Sequence, residues 1–233
     1  MAKTTSRGGT LGSTRRPPNE ARANILTAAE RLFYNEGIGA VGVDAVAEAA
    51  GVTKRTLYYH FASKEDLIAA YLDARDETTL NALRTASSDA AAQPGDRILG
   101  VFDFVQRWAA TTDYHGCPFN NAVAEQSMGP KVTAIARRHK DTVKSWFSQQ
   151  AAEGGAHDPD ALGAQLLVLL DGALNGAAVS GSPEAAAVAR TMAETALEAA
   201  GIACASRSMQ RKRRTHKGEG SRPSGKSKLG TRQ

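Results

Sequence analysis

The 233-residue chain is 42% hydrophobic and only 6% aromatic, with long alanine- and leucine-rich stretches, a composition that points to an all-α protein of one large or two small domains. Its formal charge of +5 is uneven: residues 205–233 hold ten Lys or Arg against one acid, Glu219, a local +9 that leaves −4 on residues 1–204, so a nucleic-acid function must rest on a local patch. Two isolated cysteines, Cys117 and Cys204, exclude a disulfide framework, and MAKTTSRGGT lacks the apolar core of a secretory leader, so the setting expected is reducing and cytoplasmic.

Residues 1–19 mix Gly, Ser, Thr, Pro and Arg without periodicity and read as a flexible arm ending at Pro17-Pro18. From Asn19 onward, Ile25, Ala28, Ala29, Leu32 and Phe33 recur at helical spacing, opposite Arg22, Glu30 and Arg31, until Gly37 and Gly39 stop the helix. A short second helix fits 43–50, with Val43, Val46, Ala47 and Ala50 in one stripe and Gly51 after it. Thr53 is a suitable N-cap for a third, which turns Leu57 and one of His60 or Phe61 inward. Ser63, followed by Glu65 and Asp66 at the positive end of the dipole, opens a fourth running to about 87.

After a Gly/Pro break at 93–95, helical patterns cover 95–112, 118–128, 130–152, 158–180 and 183–201, with Pro130, Pro159 and Pro183 near helix starts, where proline is tolerated. No convincing strand or internal repeat occurs. The most apolar run, 166–179, is shorter than a membrane span and is interrupted by Asp171 and Asn175, so a soluble protein without a membrane partner is expected. The tail, 205–233, has too few apolar residues to order itself; it either adds nonspecific attraction to phosphates or is inert.

Residues 37–42, GIGAVG, match G-x-G-x-x-G letter for letter. That fingerprint needs a strand before it, and what precedes is the amphipathic AERLFYNEG, so a dinucleotide site fails and no cofactor is expected. Instead, Ala47 stands four residues before Gly51: a small residue where helices cross, then a glycine for a tight turn, with Val46, Ala50, Val52 and Leu57 placed for burial. This is the spacing of a helix-turn-helix. The third helix carries Lys54, Arg55, Thr56, Tyr58, Tyr59 and His60, more polar groups than a structural helix needs; in a major groove they suit guanine, thymine and phosphate contacts. A solvated surface explains any one of them but not the set. Lys64 is placed for a phosphate. No Ser/His/Asp arrangement, carboxylate pair or phosphate loop points to an enzyme.

The segment Arg22–Leu72, with AAERLFYNEG and VDAVAEAAGVTKRTLYYHFASKEDL, resembles the N-terminal DNA-binding domain of the TetR family of transcriptional regulators. HGCPFNNAVAE (115–125) is similar to a stretch in a subset of that family. The resemblance implies about nine helices, with a helix-turn-helix domain over 20–66 and an effector-binding and dimerisation body over 67–204. It further implies a homodimer built on the last two helices and an effector pocket within helices five to eight. Carried onto this chain, the operator contacts fall on Thr53, Lys54, Arg55, Thr56, Tyr58, Tyr59, His60 and Lys64. Relatives commonly have Ser or Thr just before the second helix; Val41 and Gly42 stand here, so that contact falls to the Gly42 backbone or is missing.

For a small-molecule effector the large side chains are Phe102, Phe104, Trp108, Tyr114, Phe119, Trp146 and Phe147, with Asn120, Asn121, Gln126 and Asn175 as polar anchors, although aromatics at helical spacing are more often core. His115 and Cys117 lack a third and fourth metal ligand, so no metal is expected, and a redox role for Cys117 requires exposure. The apolar stripe of 158–201 (Leu162, Leu166, Leu169, Leu170, Leu174, then Ala185, Val188, Met192, Leu197) suits a homodimer interface better than an internal core. The expected function is an operator-binding repressor released by an effector; the alternative is a ligand-independent regulator, or an activator, of the same fold.

Overall fold

Apolar stripes at helical spacing, punctuated by glycine and proline, fold as helices throughout the described residues of a computed structural model, 18–88, 93–125 and 129–204. They are α1 (Pro18–Glu36), α2 (Val43–Ala49), α3 (Lys54–His60), α4 (Lys64–Ser88), α5 (Pro94–Ala109), α6 (Pro118–Ala124), α7 (Pro130–Glu153), α8 (Pro159–Ser180) and α9 (Glu184–Ala199). The expected arm up to residue 17, the tail 205–233 and Gln126 lie outside the described residues. Helix α1 takes in Pro18 and Asn19, because proline's missing N–H costs nothing in a first turn.

The helices form two compact units, one of residues up to Arg75 with Pro118–Ala136, the other of Asp76–Cys117 with Arg137 onward. In the first, α1, α2 and α3 pack around Ile25, Ala29, Val46, Leu57, Leu67 and Leu72, each fully buried, while Phe33 meets Tyr71 edge-on at 5.8 Å. Inward from α3 comes Phe61, 4% exposed, and not His60; Val52 is half-buried.

In the second, α8 and α9 pair along their lengths and α5 crosses α9. Ile98, Leu99, Phe102, Phe147, Leu166 and Leu197 are its centre, with Phe102 and Phe147 stacked at 6.2 Å. Burying side chains of this size contributes roughly 1.5–3 kcal/mol each. The run 166–179 lies within α8, whose 22 residues are long and apolar enough, by length and composition, to cross a membrane. Its pairing with α9 and α5 makes it a bundle helix, whose uncovered side stays apolar.

Candidate nucleic-acid interface

The junction of α2 and α3 is built as the A-x-x-x-G spacing requires. Ala47 is 4% exposed at the crossing, and Gly51 takes φ +65°, a left-handed turn that a side chain resists. The turn closes with Gly51 N donating to Glu48 O and Val52 N to Ala47 O, both at 3.0 Å. Thr53 caps α3, its Oγ1 accepting from Thr56 N at 3.1 Å, and the two threonine hydroxyls lie 2.9 Å apart. Such a cap contributes about 1 kcal/mol.

Leu57 anchors α3 from beneath at 0% exposure, and the helix turns the other side chains out. Lys54, Arg55, Tyr58 and Tyr59 are exposed, Tyr59 to 78%, and Thr56 and His60 are half-exposed. Tyr59 and His60 meet edge-on at 5.1 Å, and the Arg22 guanidinium covers Phe61 at 5.2 Å. The structure thus brings the predicted set from Thr53 to His60 onto one short helix. An aromatic 78% exposed gives up much burial for nothing unless a partner covers it.

Three acidic and basic partners were not legible in the sequence. Asp44, ten residues before Lys54, holds its ammonium at 2.9 and 3.0 Å, and that hydrogen bond, with the charge behind it, raises the Lys54 pKa. Lys64 donates to the Ile38 carbonyl at 2.6 Å, so a phosphate contact would share an ammonium already partly engaged. Glu125, at the end of α6, accepts from the amides of Ile38 and Gly39. No local period signals pairings 10, 26 or 87 residues apart. Gly42 is the N-cap of α2, in an extended conformation (φ −82°, ψ 156°) and with no side-chain cap. At the start of α4, Ser63 Oγ accepts from Asp66 N at 3.0 Å as the sequence predicts, and the Lys131 hydrogen bond, then Ser63, holds the Asp66 carboxyl below its ordinary range.

The effector candidates divide between the units. Phe119 and Asn120 sit on α6 with the helix-turn-helix unit; Phe102, Phe104, Trp108, Trp146 and Asn175 belong to the other. Phe102, Phe119 and Trp146 are buried, whereas Phe104 is 56% exposed. Phe104, Trp108 and Tyr114 form a ladder with spacings of 6.0 and 5.0 Å, and the Tyr114 hydroxyl donates to Leu174 O at 2.6 Å. Cys117 is buried, with the Lys140 ammonium 3.7 Å from Sγ. Among the described residues no three metal-ligating side chains converge. An apolar groove of about 570 Å³ runs along the outer side of α8 and α9, lined by Ala164, Val168, Leu169, Met192, Ala196 and Ala199 among others.

Residues 25–71, which span most of α1 through the start of α4, match the family model described as bacterial regulatory proteins, tetR family. The HTH-type transcriptional regulator TtgR of Pseudomonas putida is 33% identical over 121 residues, 48% of this chain; the match spans only 58% of TtgR. The HTH-type transcriptional activator FasR of Mycolicibacterium smegmatis is 29% identical over 147 residues, 62% of this chain and 66% of FasR. The crystal structure of a TetR-family transcriptional regulator from Streptomyces coelicolor is 33% identical and superposes with a TM-score of 0.72, covering 78% of this chain and 96% of that one.

Proposed function

The chain belongs to the TetR family of transcriptional regulators, and from that premise we propose that it is a cytoplasmic, homodimeric repressor that an effector releases from a near-palindromic operator. The observation that carries the reading is the outward face of α3, where Lys54, Arg55, Tyr58 and Tyr59 project from a helix anchored by Leu57 and, at its C-cap, Phe61. Arg55 and Lys54 supply donors for guanine O6 and N7, Thr56 a methyl for thymine, and Tyr58 and Tyr59 hydroxyls for phosphates. Gly42 offers its backbone N–H at the start of α2, in place of the hydroxyl that relatives commonly carry. A two-fold dimer presents two copies of α3 about one helical turn of DNA apart, roughly 34–36 Å.

The groove on α8 and α9 supports the homodimer, because a second copy of the same apolar face fills it. For effector binding the support is the aromatic ladder of Phe104, Trp108 and Tyr114 beside α8. A small apolar molecule with one or two polar groups suits contact with these rings. It releases DNA only by its differential affinity for the conformation whose α3 spacing no longer fits. Selection of bound duplexes from a random pool tests the reading. Enrichment of an inverted repeat with half-site centres about one turn apart is the expected result; recovery of sequences sharing no repeat contradicts it. A reporter carrying the recovered site then separates repression from activation.

A further inference from the structure

The glycines of GIGAVG suit a phosphate loop in letters, and the structure reveals another occupant. Gly37 turns the chain at φ +90°, after which the amides of Ile38 and Gly39 both reach the carboxylate of Glu125, Ile38 N donating to Oε1 at 2.9 Å and Gly39 N to Oε2. A Cβ at Gly39 would lie 2.6 Å from Glu125 Oε2, so a side chain there would make this carboxylate shift. On the other side of the same peptide, the Lys64 ammonium donates to Ile38 O at 2.6 Å. One turn is thus held by an anion from α6's end and a cation from α4's start, through charge-assisted hydrogen bonds. Beside it, Lys131 pairs with Asp66, and its backbone N donates to Glu65 Oε1 at 3.2 Å.

This grip matters because of what α2 lacks. Its N-cap is Gly42, so no side-chain hydrogen bond helps fix where the helix begins. The turn at 37–41, closed by Val41 N donating to Gly37 O at 3.3 Å, leads directly into it, and α2 sets α3 through the Ala47–Gly51 junction. We propose that Glu125 is a positioning residue for DNA binding: its carboxylate fills the anion-holding turn between α1 and α2 and thereby fixes the presentation of α3. This rests on the regulator reading. It also gives the glycines of 37–42 a role, since the anion held there is the chain's own Glu125 carboxylate.

The experiment uses the full chain with Glu125→Ala, Glu125→Gln, Gly39→Ala and the double variant Gly39→Ala/Glu125→Ala. Amide hydrogen exchange and operator affinity by fluorescence anisotropy are read for each. The expected result is exchange at Ile38 and Gly39 at least tenfold faster in Glu125→Ala, intermediate in Glu125→Gln, which keeps one acceptor, and unchanged in α8 and α9. Operator affinity falls on the order of tenfold in Glu125→Ala with the salt slope unaltered, because no phosphate contact is lost. Gly39→Ala alone weakens binding, and adding it to Glu125→Ala costs little more, a non-additivity that general loosening does not give. Unchanged exchange at Ile38 and Gly39, or faster exchange with operator affinity intact, overturns the proposal. A wild-type chain that binds no operator contradicts the regulator reading instead, and the exchange result still decides whether Glu125 holds the turn.

Discussion

Replacing Val168 with Glu should split the proposed homodimer while leaving the fold of each subunit intact. Val168 is 71% exposed in the single chain and shares the groove with Met192 at 53%, and Val188, also on α9, is 55% exposed. Full burial of such a side chain contributes about 1.5–3 kcal/mol, so covering these exposed fractions contributes roughly 3–5 kcal/mol per protomer, counted twice across a two-fold interface. Association itself costs several kcal/mol, and a micromolar dimer is held by a net ~8 kcal/mol, so these three side chains are comparable with the whole margin. Val168→Glu removes the largest share and sets a carboxylate against Leu169 and Met192 in the groove, twice per dimer, which should weaken association by more than about a hundredfold. Sedimentation equilibrium at micromolar protein, with far-UV circular dichroism to show retained helix, reads the effect. Operator affinity should fall with it, because each half-site is then held by an independent subunit. A Val168→Glu chain that sediments as the same dimer as the wild type would refute the placement of the interface on α8 and α9.

Arg55→Ala should lose about 1–3 kcal/mol on the operator with relaxed base preference; equal losses on operator and random DNA would remove its base-reading role. Freeing Lys54 by Asp44→Asn should raise affinity for random DNA more than for the operator and steepen the salt dependence, measured by anisotropy across a salt series. Gly42→Ser should stabilise the protein by a few tenths of a kcal/mol in thermal melts, since Gly42 already has cap-like extended geometry and open space for a Cβ; a lowered melting temperature would show the cap is not formed. His139 is held below its ordinary pKa of 6.5 by burial, which outweighs the Asp76 carboxylate at 2.8 Å and is joined by the Lys140 charge. The unfolded chain therefore takes up this proton first, and the contribution to stability, full above about pH 6.5, is lost as the pH falls below it. His139→Gln should flatten that limb of the melting temperature against pH, and an unchanged limb would assign it elsewhere.

What the sequence makes legible here is local. The apolar period of Ile25, Ala29 and Leu32, the Thr53 and Ser63 caps, and the Ala47–Gly51 spacing each act within a few residues, and each recurs in the structure as expected. Pairings across large separations leave no such mark. Glu125 sits at the end of a short helix with no periodic reason to reach Gly39, and Asp44 reads as an ordinary first-turn acid until Lys54 is found beside it. Aromatic spacing likewise fails to separate core from surface: Phe102 and Phe104 are two residues apart, yet one is fully buried and the other 56% exposed, because α5 shows only one side to α8 and α9. Length and hydropathy alone do not say where α8 packs, since burial against helix neighbours is a property of the fold and not of the run.

The most direct measurement of the central claim is a gel-shift titration on the DNA upstream of the chain's own coding sequence, with excess random duplex. It compares the wild type with a variant carrying Lys54→Ala, Arg55→Ala and Tyr59→Ala on α3. The wild type should give a competitor-resistant complex that the α3 variant loses while its melting temperature holds, since all three side chains are exposed. A complex that survives in the α3 variant, or a wild-type complex that random DNA abolishes at equal concentration, would contradict the assignment of sequence reading to α3.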